Sequence, residues 1–173
     1  PIFLIVYGIT PRKYRNLTLL VGSIVFYARG DVRYLPLLMI SILCNYFLGL
    51  HLAKRSPKTL WRKKLLLILT LGANLAVLLW FKDWGGSAGL PLGISFYTFQ
   101  ILSYQIDVYR GEVSREYSFL KFATYVIMFP KLISGPITRY GDISDSLTER
   151  TFTVRGLEDG MKLFILGLAA KVL

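Results

Sequence analysis

The residues able to do chemistry in this chain lie between positions 91 and 140. They fall in three short runs: PLGISFYTFQ from Pro91, IDVYRG from Ile106, and FPKLISGPITRY from Phe129. These runs bring Ser95, Gln100, Lys131, Gly135, Pro136 and Arg139 into surroundings that are otherwise apolar. Hydroxyl, amide and cationic groups set among helix breakers suit one task above others. At membrane depth such groups are tolerated only where they face protein or a water-filled space, so together they line a site. Those six residues are the candidate tunnel and substrate-binding set.

Catalytic residues of the usual kinds are not assigned within the chain. With one His and one Cys there is no triad, no metal-spaced ligand set and no phosphate-cradling glycine loop. His51 stands three residues before Lys54 and reads as an interfacial residue at the end of a span. Cys44 lies inside an apolar run, and a single cysteine excludes an internal disulfide. Lys131 has two readings: it snorkels from an interfacial break, or it lines an aqueous funnel and meets an anionic substrate. Ser95, Thr98, Gln100, Ser103 and Gln105 are each accounted for by hydrogen bonds between helices. As a group following Pro91 and Gly93 they describe a helix that faces a cavity.

The elements that must position these residues are apolar helices. Of 173 residues 54% are hydrophobic and 18% charged, with a mean hydropathy of +0.50; a soluble domain carries about 25% charged residues. Uncharged runs cover residues 34–53, 65–81 and 84–106, near the 20 or so residues that a hydrocarbon core of about 30 Å requires. The fold class is therefore an all-α, polytopic transmembrane helical bundle with short or re-entrant helices. Residues 1–9 read as the tail of a span, and 16–28 as a run of only thirteen uncharged residues, short for a crossing. The stretch 117–137 is broken by Pro130 and by the Gly135-Pro136 pair. Residues 140–158 are polar, and a further apolar helix begins at Gly160. The aromatics Tyr7, Tyr14, Tyr27, Tyr34, Trp61, Trp80, Trp84, Tyr109 and Tyr140 fall near span ends and read as an interfacial belt.

Charge sets the orientation. The net charge is +11, but the basic residues sit in short clusters between apolar runs, which points to membrane lipids and excludes nucleic acid as a partner. Residues 54–64 carry six Lys and Arg and no acid, and mark the cytoplasmic side. Residues 10–15 and the mixed-charge loop 107–118, read as solvated, share that side. Residues 29–33 and 82–88 lie opposite.

Taken together, GISFYTFQ, SYQIDVYRG, FPKLISGPITRY and the closing GMKLFILGLAAKVL resemble the membrane-bound O-acyltransferase family, in its alginate and polysaccharide O-acetyltransferase branch. The resemblance extends over essentially all of residues 1–173, which then form the N-terminal part of one transmembrane domain cut at both ends. It implies a multi-pass protein of the plasma (inner) membrane with a tunnel. No cofactor stays bound; acetyl-CoA is the acyl donor on the cytoplasmic side. The acceptor is a hydroxyl of an extracytoplasmic polysaccharide, reached with an acetyl-transferring partner protein of the esterase type. The family's histidine base is implied downstream of the GLAAKVL segment, so His51 receives no catalytic role and the chain alone is expected to be inactive. Under the same resemblance Arg139 meets a CoA phosphate or a phospholipid headgroup. A transporter or channel segment, and a non-catalytic membrane subunit, are the alternative functions.

Overall fold

The computed structural model describes residues 2–52, 60–84, 89–132, 135, 138–148 and 154–172. Nine α-helices follow one another among them, with no strand: α1 (Ile2–Ile9), α2 (Arg15–Asp31), α3 (Leu35–Leu52), α4 (Leu60–Leu79), α5 (Ile94–Arg110), α6 (Phe119–Ile127), α7 (Phe129–Leu132), α8 (Tyr140–Thr148) and α9 (Val154–Val172). Two stretches are long and apolar enough to cross a membrane, Arg12–Leu52 with a 3-10 break at Val32–Tyr34, and Trp61–Asp83. Apolar side chains such as Ile40, Phe47, Ile68 and Leu69 are more than half exposed on their outer faces. The fold is that of an all-α membrane protein: apolar outside, with its polar side chains drawn inward.

The helix ends divide into two sets. At one end Arg15 Nε donates to the Thr10 carbonyl, Asn16 reaches the Leu147 carbonyl at 2.9 Å, and Arg115 reaches the Leu50 carbonyl at 3.2 Å. At the other, the Tyr34 hydroxyl bonds the Gly89 carbonyl and its ring meets Phe81, while Leu92 lies against Gly30. The first end gathers Arg12, Lys13, Arg62, Lys63, Lys64, Arg110 and Arg115 with the acids Glu112 and Glu116; the second carries Arg29, Arg33 and Lys82 beside Asp31 and Asp83. The basic residues that charge alone assigns to one side thus share an end where they are described; residues 54–59 of the second cluster lie outside the described residues.

Several boundaries differ from those expected. The short run at 16–28 becomes α2, which takes in Arg29, Gly30 and Asp31, because charged ends can lie beyond the apolar slab and still be helical. The run at 84–106 is not one element: α5 begins only at Ile94, after Gly93 in a left-handed conformation (φ 67°), and continues to Arg110 before Gly111 (φ 78°) closes it. Asp107 is therefore helical and 5% exposed rather than part of a solvated loop. The polar stretch 140–158 contains α8, and α9 starts at Val154 rather than Gly160. Tyr27 and Tyr140, read as belt residues, are fully buried.

α6 and α7 explain the broken stretch. Met128 leaves the helical region (ψ 110°), where Pro130 removes a donor and its ring would crowd the carbonyl four residues earlier. The Phe129 N–H freed by that break donates to Ser23 Oγ of α2 at 3.1 Å. α6 packs chiefly against α2, and Leu132 ends α7 against Gly93, at the far end of the bundle. Arg139 and Tyr140 stand back at the starting end, beside Glu112 and Glu116. The chain from Phe119 to Tyr140 thus enters and returns at the same end.

Gly93 has no room for a side chain: an added Cβ would lie 2.6 Å from the Leu132 carbonyl oxygen, and φ 67° costs a side-chain-bearing residue about 1–2 kcal/mol by itself. Gly93→Ala is expected to lower the thermal midpoint of the detergent-solubilised protein clearly. Gly72→Ala, which meets nothing within 4 Å in mid-helix, leaves it level or raises it.

Candidate functional site: a polar seam behind a re-entrant segment

The seam is carried by α5, whose Thr98, Gln100, Gln105 and Asp107 are all at most 5% exposed, Thr98 and Gln105 on one face and Gln100 and Asp107 on nearly the opposite one. α5 can carry them because its neighbours come close. A Cβ added at Gly49 of α3 would lie 2.9 Å from the Tyr104 ring, so the bare glycine is what lets the two helices approach. Gln105 Nε2 then donates to the Asn45 carbonyl at 2.7 Å, while its Oε1 has no partner. Asn45 and Asn74 exchange amide hydrogen bonds of 3.1 and 2.9 Å, joining α3 to α4.

At the middle of the seam Tyr125 of α6 holds the returning chain. Its hydroxyl lies 2.9 Å from the Thr138 carbonyl and 3.4 Å from the Gln100 carbonyl. Lys131 Nζ sits 5.0 Å from the centre of the Tyr125 ring and donates to Thr138 Oγ1 at 2.9 Å. Gly135 N–H bonds the Lys131 carbonyl, and a Cβ at Gly135 would overlap Lys131. Four groups, on α5, α6, α7 and the return, are tied at one point.

At the basic end the organiser is Glu116. Its carboxylate accepts from the Tyr140 hydroxyl (2.5 Å) and the Ser118 N–H (2.7 Å), and its own N–H donates to the Tyr104 hydroxyl (3.0 Å). Ser118 in turn caps α6 by accepting from the Lys121 N–H. The rings of Tyr104, Tyr125 and Tyr140 meet edge to face at 5.1–5.2 Å. Burial first, and then the bond to Glu116, push the Tyr140 phenol above its ordinary range, so it is a neutral donor at physiological pH.

Two openings flank α5. One of about 480 Å³ lies at the basic end, where Lys63, Arg110 and Arg115 face Tyr109 and Tyr117. Arg115 is fixed there by the Leu50 carbonyl and by stacking 4.7 Å over the Tyr117 ring. The other, of about 590 Å³, is a lateral cleft between α4 and α5 that includes Asp107 and Arg139.

The six residues singled out in the sequence are only partly brought together. Gln100 (through its carbonyl), Lys131 and Gly135 meet around Tyr125 and Thr138. Ser95 is in the first turn of α5 at the opposite end, half-buried. Arg139 is exposed, 4.0 Å from Glu112, and lines the lateral cleft. Pro136 lies outside the described residues. His51 bonds the Phe47 carbonyl of its own helix, and Cys44 is a free, exposed thiol. Among the described residues no group of His, Cys, Asp or Glu could hold a metal ion. Sequence reasoning missed Asn45, Asn74, Tyr125 and Glu116. A lone amide within an apolar run was the available signal for the first two.

The fold and seam define a helical membrane protein built around a re-entrant segment. Over 99% of its length the chain is 38% identical to the probable alginate O-acetylases AlgI of Pseudomonas putida and Pseudomonas aeruginosa. Over 92% it is 31% identical to the peptidoglycan O-acetyltransferase of Helicobacter pylori. It spans about two fifths of these relatives, 39%, 37% and 38% of their lengths. No family model and no solved structure matches it. The chain belongs to the membrane-bound O-acyltransferase family, in the branch of these O-acetylases.

Tyr125→Phe removes the O–H that serves the Thr138 carbonyl, with the Gln100 carbonyl 3.4 Å away, and is expected to cost about 1–3 kcal/mol, read as a lowered thermal midpoint in detergent. Tyr125→Trp should not restore it, whereas Lys131→Met, which loses one hydrogen bond and one cation–π contact, should cost less than Tyr125→Phe.

Proposed function

We propose that the intact protein is a membrane O-acetyltransferase of the bacterial inner-membrane type. It passes acetyl groups from acetyl-CoA at the cytoplasmic face to hydroxyls of an extracytoplasmic polysaccharide, of the alginate or peptidoglycan kind. The observation that carries this reading is the 38% identity to alginate O-acetylases along 99% of the chain. An extracytoplasmic acetyl-transferring protein completes delivery to the polymer. The basic end is cytoplasmic, in keeping with the positive-inside bias, and the chain crosses the membrane several times.

The basic opening beside Lys63, Arg110 and Arg115 supports that end as the donor's entrance. A guanidinium already held by a carbonyl and an aromatic ring offers its remaining donors to a phosphate with little ordering cost. Deprotonation of the acceptor hydroxyl falls to a histidine outside these 173 residues, since His51 is engaged with its own helix. The seam's part is to keep a path open through the bundle. Lys131, Tyr125 and Gln100 hold its wall.

Two experiments test this. Deleting the gene should abolish base-labile acetate on the cell's exported polysaccharide, and the intact gene should restore it; unchanged acetate contradicts the assignment. In membranes containing the intact protein, Arg115→Gln should raise the KM for acetyl-CoA about tenfold with kcat nearly unchanged, the loss of about one charge-assisted hydrogen bond. A fall in kcat at constant KM would remove Arg115 from donor binding.

A further inference from the structure

The lateral cleft has features that donor entry leaves unused. Its wall is apolar, made by Leu71 and Leu75 of α4 and by Phe99 and Ile106 of α5, and its basic end is closed by Asp107, Arg110 and Arg139. Leu75 and Phe99 are 39% and 44% exposed, so the trough opens sideways. Asp107 lines it at 5% exposure, and its Oδ2 has no hydrogen-bond partner among the described residues. A buried carboxylate oxygen that no described residue satisfies is stabilised by a donor brought to it. Arg110 and Arg139 flank Glu112 at 3.6 and 4.0 Å, and one carboxylate does not exhaust two guanidinium forks. Two acids and two bases leave the mouth with no net formal charge but with its positive and negative groups separated.

The dimensions match one leaflet. From Phe99 to Arg110 the helix rises about 16 Å at 1.5 Å per residue, about half of a hydrocarbon core some 30 Å thick. The charged groups stand at the basic end of the bundle and the apolar wall points inward. A soluble nucleotide would leave that wall uncovered, and a purely anionic headgroup would leave Asp107 unpaired. We propose that the cleft binds a zwitterionic phospholipid whose headgroup carries a primary ammonium. The ammonium donates to Asp107 Oδ2, the phosphate accepts from Arg139 and Arg110, and an acyl chain lies over Leu71, Leu75 and Phe99.

The test uses the full-length protein, reconstituted in vesicles of equal phosphatidylethanolamine, phosphatidylcholine and phosphatidylglycerol. It is then re-extracted in mild detergent, and the retained phospholipid is counted by native mass spectrometry. The intact protein is expected to retain phosphatidylethanolamine in preference to phosphatidylcholine, whose quaternary ammonium cannot donate. Asp107→Asn should reduce that preference about tenfold, the worth of one charge-assisted hydrogen bond. Leu75→Trp, which fills the trough from an exposed position and does not rely on Asp107, should abolish retention of any phospholipid there. Preferential retention of phosphatidylglycerol, displacement of the retained lipid by acetyl-CoA, or one lipid profile shared by intact protein and folded Leu75→Trp would each overturn the proposal. None of these readouts depends on acetyl transfer, so the lipid site and the enzymatic reading fail separately.

Discussion

The hydroxyl of Tyr125 holds the structure's least self-sufficient part. A helix broken within an apolar bundle leaves carbonyls and N–H groups that lipid cannot satisfy. Tyr125 bonds the Thr138 carbonyl of the return and reaches the Gln100 carbonyl of α5. Its ring meanwhile carries the Lys131 ammonium. The other consequences follow from that anchorage. Ser23 takes over the N–H exposed by the break before Pro130, Gly93 yields space to Leu132, and Glu116 receives Tyr140 where the chain comes back to the basic end.

The anchor also defines the two openings. Because the return brings Arg139 next to Glu112 and Arg110, the end of α5 faces both the basic opening and the lateral cleft. Arg110 borders each. One helix end therefore presents Lys63, Arg110 and Arg115 in one direction and, one turn deeper, the carboxylate of Asp107 in another.

Much of the helical framework was legible in the sequence, because apolar runs and basic clusters are one-dimensional signals. The ends of α3, the break near Pro130, and the common side of residues 10–15, 62–64 and 111–118 rest on hydropathy, proline chemistry and charge bias alone. What escaped depends on partners remote in sequence. Asn45 and Asn74 pair across 29 positions, and a single amide in an apolar run does not reveal whether it has a mate. Asp107 reads as the first residue of a charged loop, yet the left-handed Gly111 lets α5 extend past it and bury it. Tyr27 and Tyr140 carry the same phenol as belt tyrosines, and only packing separates the two cases. Of the six proposed site residues, Ser95 lies in the first turn of α5 and Arg139 at the basic end beside Glu112, so helical rise and the return set those two at opposite ends of the bundle.

The central claim is that the segment through α6 and α7 enters and leaves at one face. Single cysteines placed at Ser118 and Asp142 in a Cys44→Ser background, labelled with a membrane-impermeant maleimide, test it most directly. Both are expected to react from the cytoplasmic side only, in step with a cysteine at Lys63, while one at Lys82 reacts from the opposite side. Labelling of Ser118 and Asp142 from opposite faces would show that the segment crosses the membrane and would contradict the claim.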